Sequence, residues 1–189
     1  MTTHDWSDPV DVDHVASVRR RADLCPDGTH AVLEVLAYAL DEAAEGTTRS
    51  IDVVLHADGS VEVVDDGRGT DTRPDEHGVL HVKPVMATRD LRFFDAEDPP
   101  RLADGRPRRG MSVVTAASSR LVHENRRADG VGFRAEYAAG LPVSVEPLER
   151  FEGTGTSVRW WGASASDALE RCIGLAAVGS VASVRVRRG

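Results

Sequence analysis

The stretch Ile51-Asp52-Val53-Val54-Leu55-His56-Ala57-Asp58-Gly59-Ser60-Val61-Glu62-Val63-Val64-Asp65-Asp66-Gly67-Arg68-Gly69 decides the fold. Two valine-rich segments flank Asp58-Gly59, and Asp-Gly between alternating apolar runs predicts a β-hairpin. The second run ends abruptly in Asp65-Asp66-Gly67-Arg68-Gly69, where acid and glycine replace valine. Taken alone, Asp65-Asp66-Gly67 reads as a surface turn. Its surroundings change that reading.

Upstream, Val32, Leu33, Val35, Leu36, Ala39, Leu40 and Ala43 predict a helix over about 30–45, capped by Asp27 or Thr29 and stopped by Gly46. Glu34, Asp41 and Glu42 are its polar members. Before it lie a short helix over 12–21 and a loosely held arm over 1–11. Downstream, 70–78 reads as a loop and 79–88 as a short helix or irregular segment. The long, Pro- and Gly-containing stretch 89–109 has the length of a lid or binding loop. A helix of small residues over 110–119 follows, then strands at 121–125, 132–137, 143–147 and 156–161, a helix over 166–178 and a last strand at 181–186.

The chain has 189 residues, 41% hydrophobic and 29% charged, with aromatics at only 5%, so an aliphatic core in one domain is expected. The net charge of −8 argues against direct DNA binding, which needs a basic surface. No apolar run approaches the roughly 18 residues of a membrane span. Two distant cysteines, Cys25 and Cys172, without a secretory leader point to reduced thiols and a cytoplasmic location.

Taken in order, the helix, hairpin, Asp65-to-Gly69 phrase, long loop, small-residue helix, Gly153-Thr154-Gly155-Thr156-Ser157-Val158-Arg159-Trp160 and Val181-Ala182-Ser183-Val184-Arg185-Val186-Arg187 resemble the ATP-binding domain of DNA gyrase B. The resemblance covers about 12–189. It implies the GHKL-type (Bergerat) α+β fold shared with histidine kinases and the MutL repair proteins. That fold is a two-layer sandwich, a mostly antiparallel mixed sheet with helices on one face. Residues 1–11 are then a flexible arm and 12–189 one nucleotide-binding domain, with no transducer or DNA-cleavage domain.

The resemblance also assigns roles. Asp65 matches the aspartate that accepts from the adenine amino group, backed by Thr156. Gly67 lets the base approach the backbone, and Gly69 is counted among the ligand-binding residues. Arg68 matches an arginine near the base that pairs with a carboxylate, here expected to be Glu34. Val85 and Met86 match the apolar wall. Arg127, or Arg126, falls near an arginine at the pocket mouth that meets aminocoumarin antibiotics. Glu34 matches the general base that activates water.

Two departures count against ATP hydrolysis. Tyr38 stands where the family places its magnesium-binding asparagine, so ATP is implied but magnesium is not expected. A phenol is a poor magnesium ligand, and its ring takes space a triphosphate needs. The glycine-rich lid has become Gly105-Arg106-Pro107-Arg108-Arg109-Gly110. Arg106, Arg108 and Arg109 either grip an anion or form a solvated loop, the latter being preferred. The function expected is a small-molecule-binding domain that keeps the adenine side, with little or no hydrolysis, and that could sequester a gyrase inhibitor. One alternative is an enzyme of natural-product biosynthesis using Glu34, Tyr38 and Asp65 in the same cleft. Another is a non-catalytic partner of a topoisomerase or kinase, acting through a protein partner or homodimer.

Overall fold

The valine alternation around Asp58-Gly59 gives β1 (Ser50–Leu55) and β2 (Val61–Asp65), paired antiparallel from Ile51–Asp65 to Leu55–Val61. Gly59 closes the hairpin at φ 81°, a conformation most side chains avoid. The computed structural model describes residues 3–5, 9–74, 76–77, 80–149 and 152–189.

The later segments supply β5 (Arg120–Arg126), β6 (Gly132–Ala138), β7 (Leu141–Pro147), β8 (Gly155–Trp161) and β9 (Ser183–Arg188). The seven-stranded sheet runs β7-β6-β5-β8-β2-β1-β9. Its neighbours are antiparallel except β1 and β9, which are parallel. Helices α1 (Val12–Arg19), α2 (Gly28–Ala44), α3 (Met111–Ala117) and α4 (Leu169–Ala176) complete the α+β sandwich.

Period-two alternation sorts the sheet faces. Ile51, Val53, Val61, Val63, Val158, Trp160, Leu121 and Phe133 point into the core with Val32, Val35, Leu36 and Val113 of the helices. The other face carries ion pairs, among them Arg185–Asp52 at 2.9 Å, His56–Glu62 at 2.8 Å and Arg134–Glu124 at 2.6 Å. α2 is the central helix because it is apolar nearly all round. Asp27 caps it, accepting from His30 N at 2.9 Å.

Three expectations change. Residues 70–88 hold a two-stranded ladder, β3 (Thr72–Pro74) with β4 (Leu80–Val82), where a loop and then a short helix or irregular segment were expected; 85–88 is a turn, the irregular alternative. Residues 75, 78 and 79 of that span lie outside the described residues. Thr72-Arg73-Pro74 shows no apolar alternation, so sequence carried no signal for this ladder. In 89–109, Leu102 N donates to Arg106 O and Arg101 bridges Pro107, so the segment folds back on itself through Gly105. In the expected arm, 1, 2 and 6–8 lie outside the described residues, but His4 is buried and bonded to Thr88 Oγ1 at 3.1 Å. Thr3 O accepts from Leu91 N, and Asp11 N donates to Ala87 O. These described parts of the arm are tied down.

Candidate ligand-binding site

A cavity of about 200 Å³ opens between α2 and the sheet. Val35, Tyr38, Ala39 and Glu42 reach it from α2 at the three- and four-residue spacing of one helix face. Val63 and Val158 form an apolar floor, with Val85, Met86 and Met111 as a wall. Asp65, where β2 stops, supplies a carboxylate at one end.

Asp65 is held from two sides. Its Oδ1 accepts from Gly67 N at 2.9 Å, and its Oδ2 accepts a short hydrogen bond from Thr156 Oγ1. Burial raises its pKa above the ordinary carboxyl value despite those bonds. Such a carboxylate, at the edge of an apolar cleft, is a strong acceptor for an exocyclic amine. Gly67 is required by packing: a Cβ there would lie 2.5 Å from Thr48 Oγ1. Gly69, at φ 80°, fits against Asn125 Oδ1 and Arg126 O.

Arg68 lines the cavity and pairs with a carboxylate, but not that of Glu34. Its Nε and Nη2 grip Glu42 at 2.8 and 2.9 Å, with Glu45 at 3.3 Å. Arg127 is not among the cavity walls. It donates weakly to Thr70 O and pairs with Asp129.

Glu34 is placed elsewhere. It is 0% exposed, and its two oxygens accept from Arg109 N at 2.6 Å and Gly110 N at 2.9 Å. His30 Nε2 lies 3.4 Å from Glu34, and His30 Nδ1 meets Asp104 at 2.7 Å. Burial opposes the His30 cation, but the bonds to Glu34 and Asp104 outweigh it and raise its pKa. His30, Glu34 and Asp41 form one stripe of α2 that grips the loop 104–110, with Asp41 bonded to Arg108. Tyr38 and Asp41 line the cavity, whereas Glu34 is absent from its walls and faces the loop. The expected convergence of Glu34, Tyr38 and Asp65 does not occur.

The Tyr38 hydroxyl donates to Asp90 Oδ2 at 2.7 Å. Asp90 is fully buried. Arg92 donates to both its oxygens, at 3.0 and 2.8 Å, and His4 Nε2 lies 3.5 Å away. Arg108 stacks on the Tyr38 and Phe93 rings, 4.7 and 4.1 Å from their centroids. Burial, with Asp90 beside it, pushes the Tyr38 phenol well above its usual pKa.

The solvated reading of the arginine run holds for Arg106 alone. Arg108 is 5% exposed, and Arg109 donates to Phe94 O at 2.8 Å. The Tyr38 and Phe93 rings with Asp41 hold Arg108 inside, and the Phe93 and Phe94 carbonyls hold Arg109. The donor set does not suit magnesium, a hard cation that wants free oxygens. Tyr38 stays protonated, Glu34 is occupied by backbone N–H groups, and Asp90 and Asp41 are held by arginines.

Tyr38, Asp65, Arg68, Gly69, Val85, Met86 and Thr156 thus come together at the cavity. Glu34, Gly67, Arg106, Arg108, Arg109, Gly110 and Arg127 stand outside its walls. Lys83, Arg92 and His123 line it and were missed by sequence reasoning. His123 had a usable signal, since alternation in Leu121-Val122-His123-Glu124-Asn125 turns it toward the core with Leu121. Lys83 and Arg92 sit in aperiodic chain and had none.

This architecture is that of a topoisomerase-type ATP-binding domain. It superposes on the topoisomerase IV ATP-binding domain of Francisella tularensis, solved with a small-molecule inhibitor, with a TM-score of 0.71. That match has 24% identity and covers 92% of this chain and 50% of the other. The mitochondrial DNA gyrase B protein of Arabidopsis thaliana is 38% identical over 140 residues, 70% of this chain and 19% of that protein. The DNA topoisomerase 4 B protein of Escherichia coli is 36% identical over 152 residues, 76% of this chain and 24% of that protein. No protein-family model matches. The chain is a homologue of the ATP-binding domain of the gyrase B and topoisomerase IV B family, and spans about a fifth of the length of these curated relatives.

Proposed function

We propose that the protein binds a flat, amine-bearing heteroaromatic ligand on Asp65 and hydrolyses ATP little or not at all. The ligand is the adenine end of a nucleotide or a planar inhibitor of the aminocoumarin type, which the domain would sequester. The observation that carries this is the Asp65–Thr156 pair at the end of an apolar cleft.

The opposite end of the site supports the second half of the reading. Two groups of anion-binding donors are already met by the protein's own carboxylates. Arg109 N and Gly110 N face Glu34, while Arg92 and Tyr38 face Asp90. A polyphosphate would have to displace both. Glu34, buried, held by backbone N–H groups and absent from the cavity walls, is poorly placed to activate water there.

Isothermal titration of the wild type and Asp65→Asn with adenosine, ATP with and without magnesium, and novobiocin tests this. Wild-type protein should bind adenosine and ATP with similar affinity, indifferent to magnesium, and Asp65→Asn should weaken adenosine at least about tenfold. No heat with any probe on folded protein, or ATP turnover abolished by Glu34→Gln, would refute it.

A further inference from the structure

Within the cavity floor one polar group is left short of partners. Asp65, Thr156 and Asn125 lie in one row across β2, β8 and β5. Each is satisfied: Asp65 and Thr156 by each other, Asn125 by Thr70 N at 2.6 Å and Thr70 O at 3.2 Å. The next row along the strands is Val63, Val158 and His123. His123 is 1% exposed and packs edge-on against Phe133 at 5.1 Å.

Among the described residues, its one contact with another polar side chain is long, Nε2 to Thr70 Oγ1 at 3.4 Å, beyond the usual hydrogen-bond range. Among the described residues, nothing hydrogen-bonds its Nδ1. Burial lowers its pKa to about 4, so the ring is neutral at physiological pH and offers one donor and one acceptor. A buried imidazole with Nδ1 unpartnered and Nε2 on a long contact costs stability, and leucine would fill the same place in this apolar row without that cost.

Resting on the Asp65 reading above, we propose that His123 is a second ligand-contacting residue, hydrogen-bonding the edge of the heteroaromatic ring remote from the amine that Asp65 accepts. The two backbone positions lie roughly 10 Å apart across the sheet and 7 Å along it. Two inward side chains and a fused bicyclic ring span that gap, with Val63 and Val158 beneath the ring. The ligand class is thus a bicyclic nitrogen heterocycle polar at two edges, and a monocyclic amine would reach only Asp65.

The test uses the full chain, adenosine as probe, ¹⁵N-labelled histidine and the His123→Leu variant. On adenosine addition, the wild-type His123 ring-nitrogen resonances, assigned by their loss in His123→Leu, should shift. His123→Leu should melt at an equal or higher temperature yet bind adenosine about five- to tenfold more weakly. Unmoved His123 resonances with undiminished binding by His123→Leu overturn this proposal and leave the Asp65 reading standing. Failure of folded wild type to bind adenosine at all overturns both.

Discussion

Asp90 shows how a single side chain can decide what a site will accept. Burial works against its charge, but the His4, Arg92 and Tyr38 groups around it prevail and hold the carboxyl well below the usual carboxylate range. A depressed carboxyl pKa gives stability that is full above the unfolded value near 4 and lost as pH falls below it. Asp90→Asn should therefore lower stability by about 3 kcal/mol at neutral pH and flatten the acid limb of a denaturant midpoint-against-pH curve. His30 has the opposite sign. Its raised pKa gives stability that is full below about 6.5 and lost as pH rises through the higher folded value. In His30→Gln the decline just above pH 6.5 should disappear from the same curve. Asp65 was legible in the sequence because a valine strand ends on it. Asp90 was not, since it sits in aperiodic chain and takes its meaning from Tyr38, far upstream, and from an arm expected to be loose.

At the scale of elements, the Gly153-to-Thr156 phrase shows why glycine belongs beside the site. Gly155 starts β8 at φ 122°, and a Cβ there would lie 1.9 Å from Asp65 O. That contact is with backbone, so it cannot be relieved by a side-chain rotation. Gly155→Ala should push the end of β2 away from β8, separate Asp65 from Thr156 and cost several kcal/mol, roughly 2–4. Chemical denaturation measures the stability loss, and adenosine titration should show binding lost with it. The elements themselves were largely legible. The α2 apolar face, the Asp-Gly hairpin and the alternating later strands all rest on local periodicity. The β3–β4 ladder and the α2 stripe that grips the 104–110 loop were not, because both depend on contacts between segments with no shared local pattern. Arg108 illustrates the second: its charge predicts solvent, whereas the Tyr38 and Phe93 rings and Asp41 hold it inside.

Across the whole molecule, one sheet face is buried under helices and the other is covered by alternating charges. Those surface pairs are screened by water and salt and contribute little stability each. They do set the exterior field. With a net charge of −8 and most of the described arginines paired to acids, we expect no extended basic stripe to follow a phosphate backbone. Fluorescence anisotropy with a labelled duplex at about 0.15 M salt should show no binding, and lowering the salt should not create it. Among the described residues no helix is long and apolar enough to cross a membrane. The sandwich was legible from the order of motifs, whereas the way the helix layer and loop close off one end of the cleft was not.

The parallel pairing of β1 with β9 has a consequence for how the chain reaches this state. Ser50 pairs with Ser183 and Leu55 with Arg188, so a hairpin closed by local contacts keeps both edges open until distant sequence arrives, β2 for β8 and β1 for β9. Loop-closure entropy opposes that last pairing, and non-local parallel contacts form slowly. In the interval the valine-rich β1 presents an uncovered strand, to which another partly folded copy could add. Refolding yield should accordingly fall with protein concentration far more steeply than the stability of the finished fold would suggest.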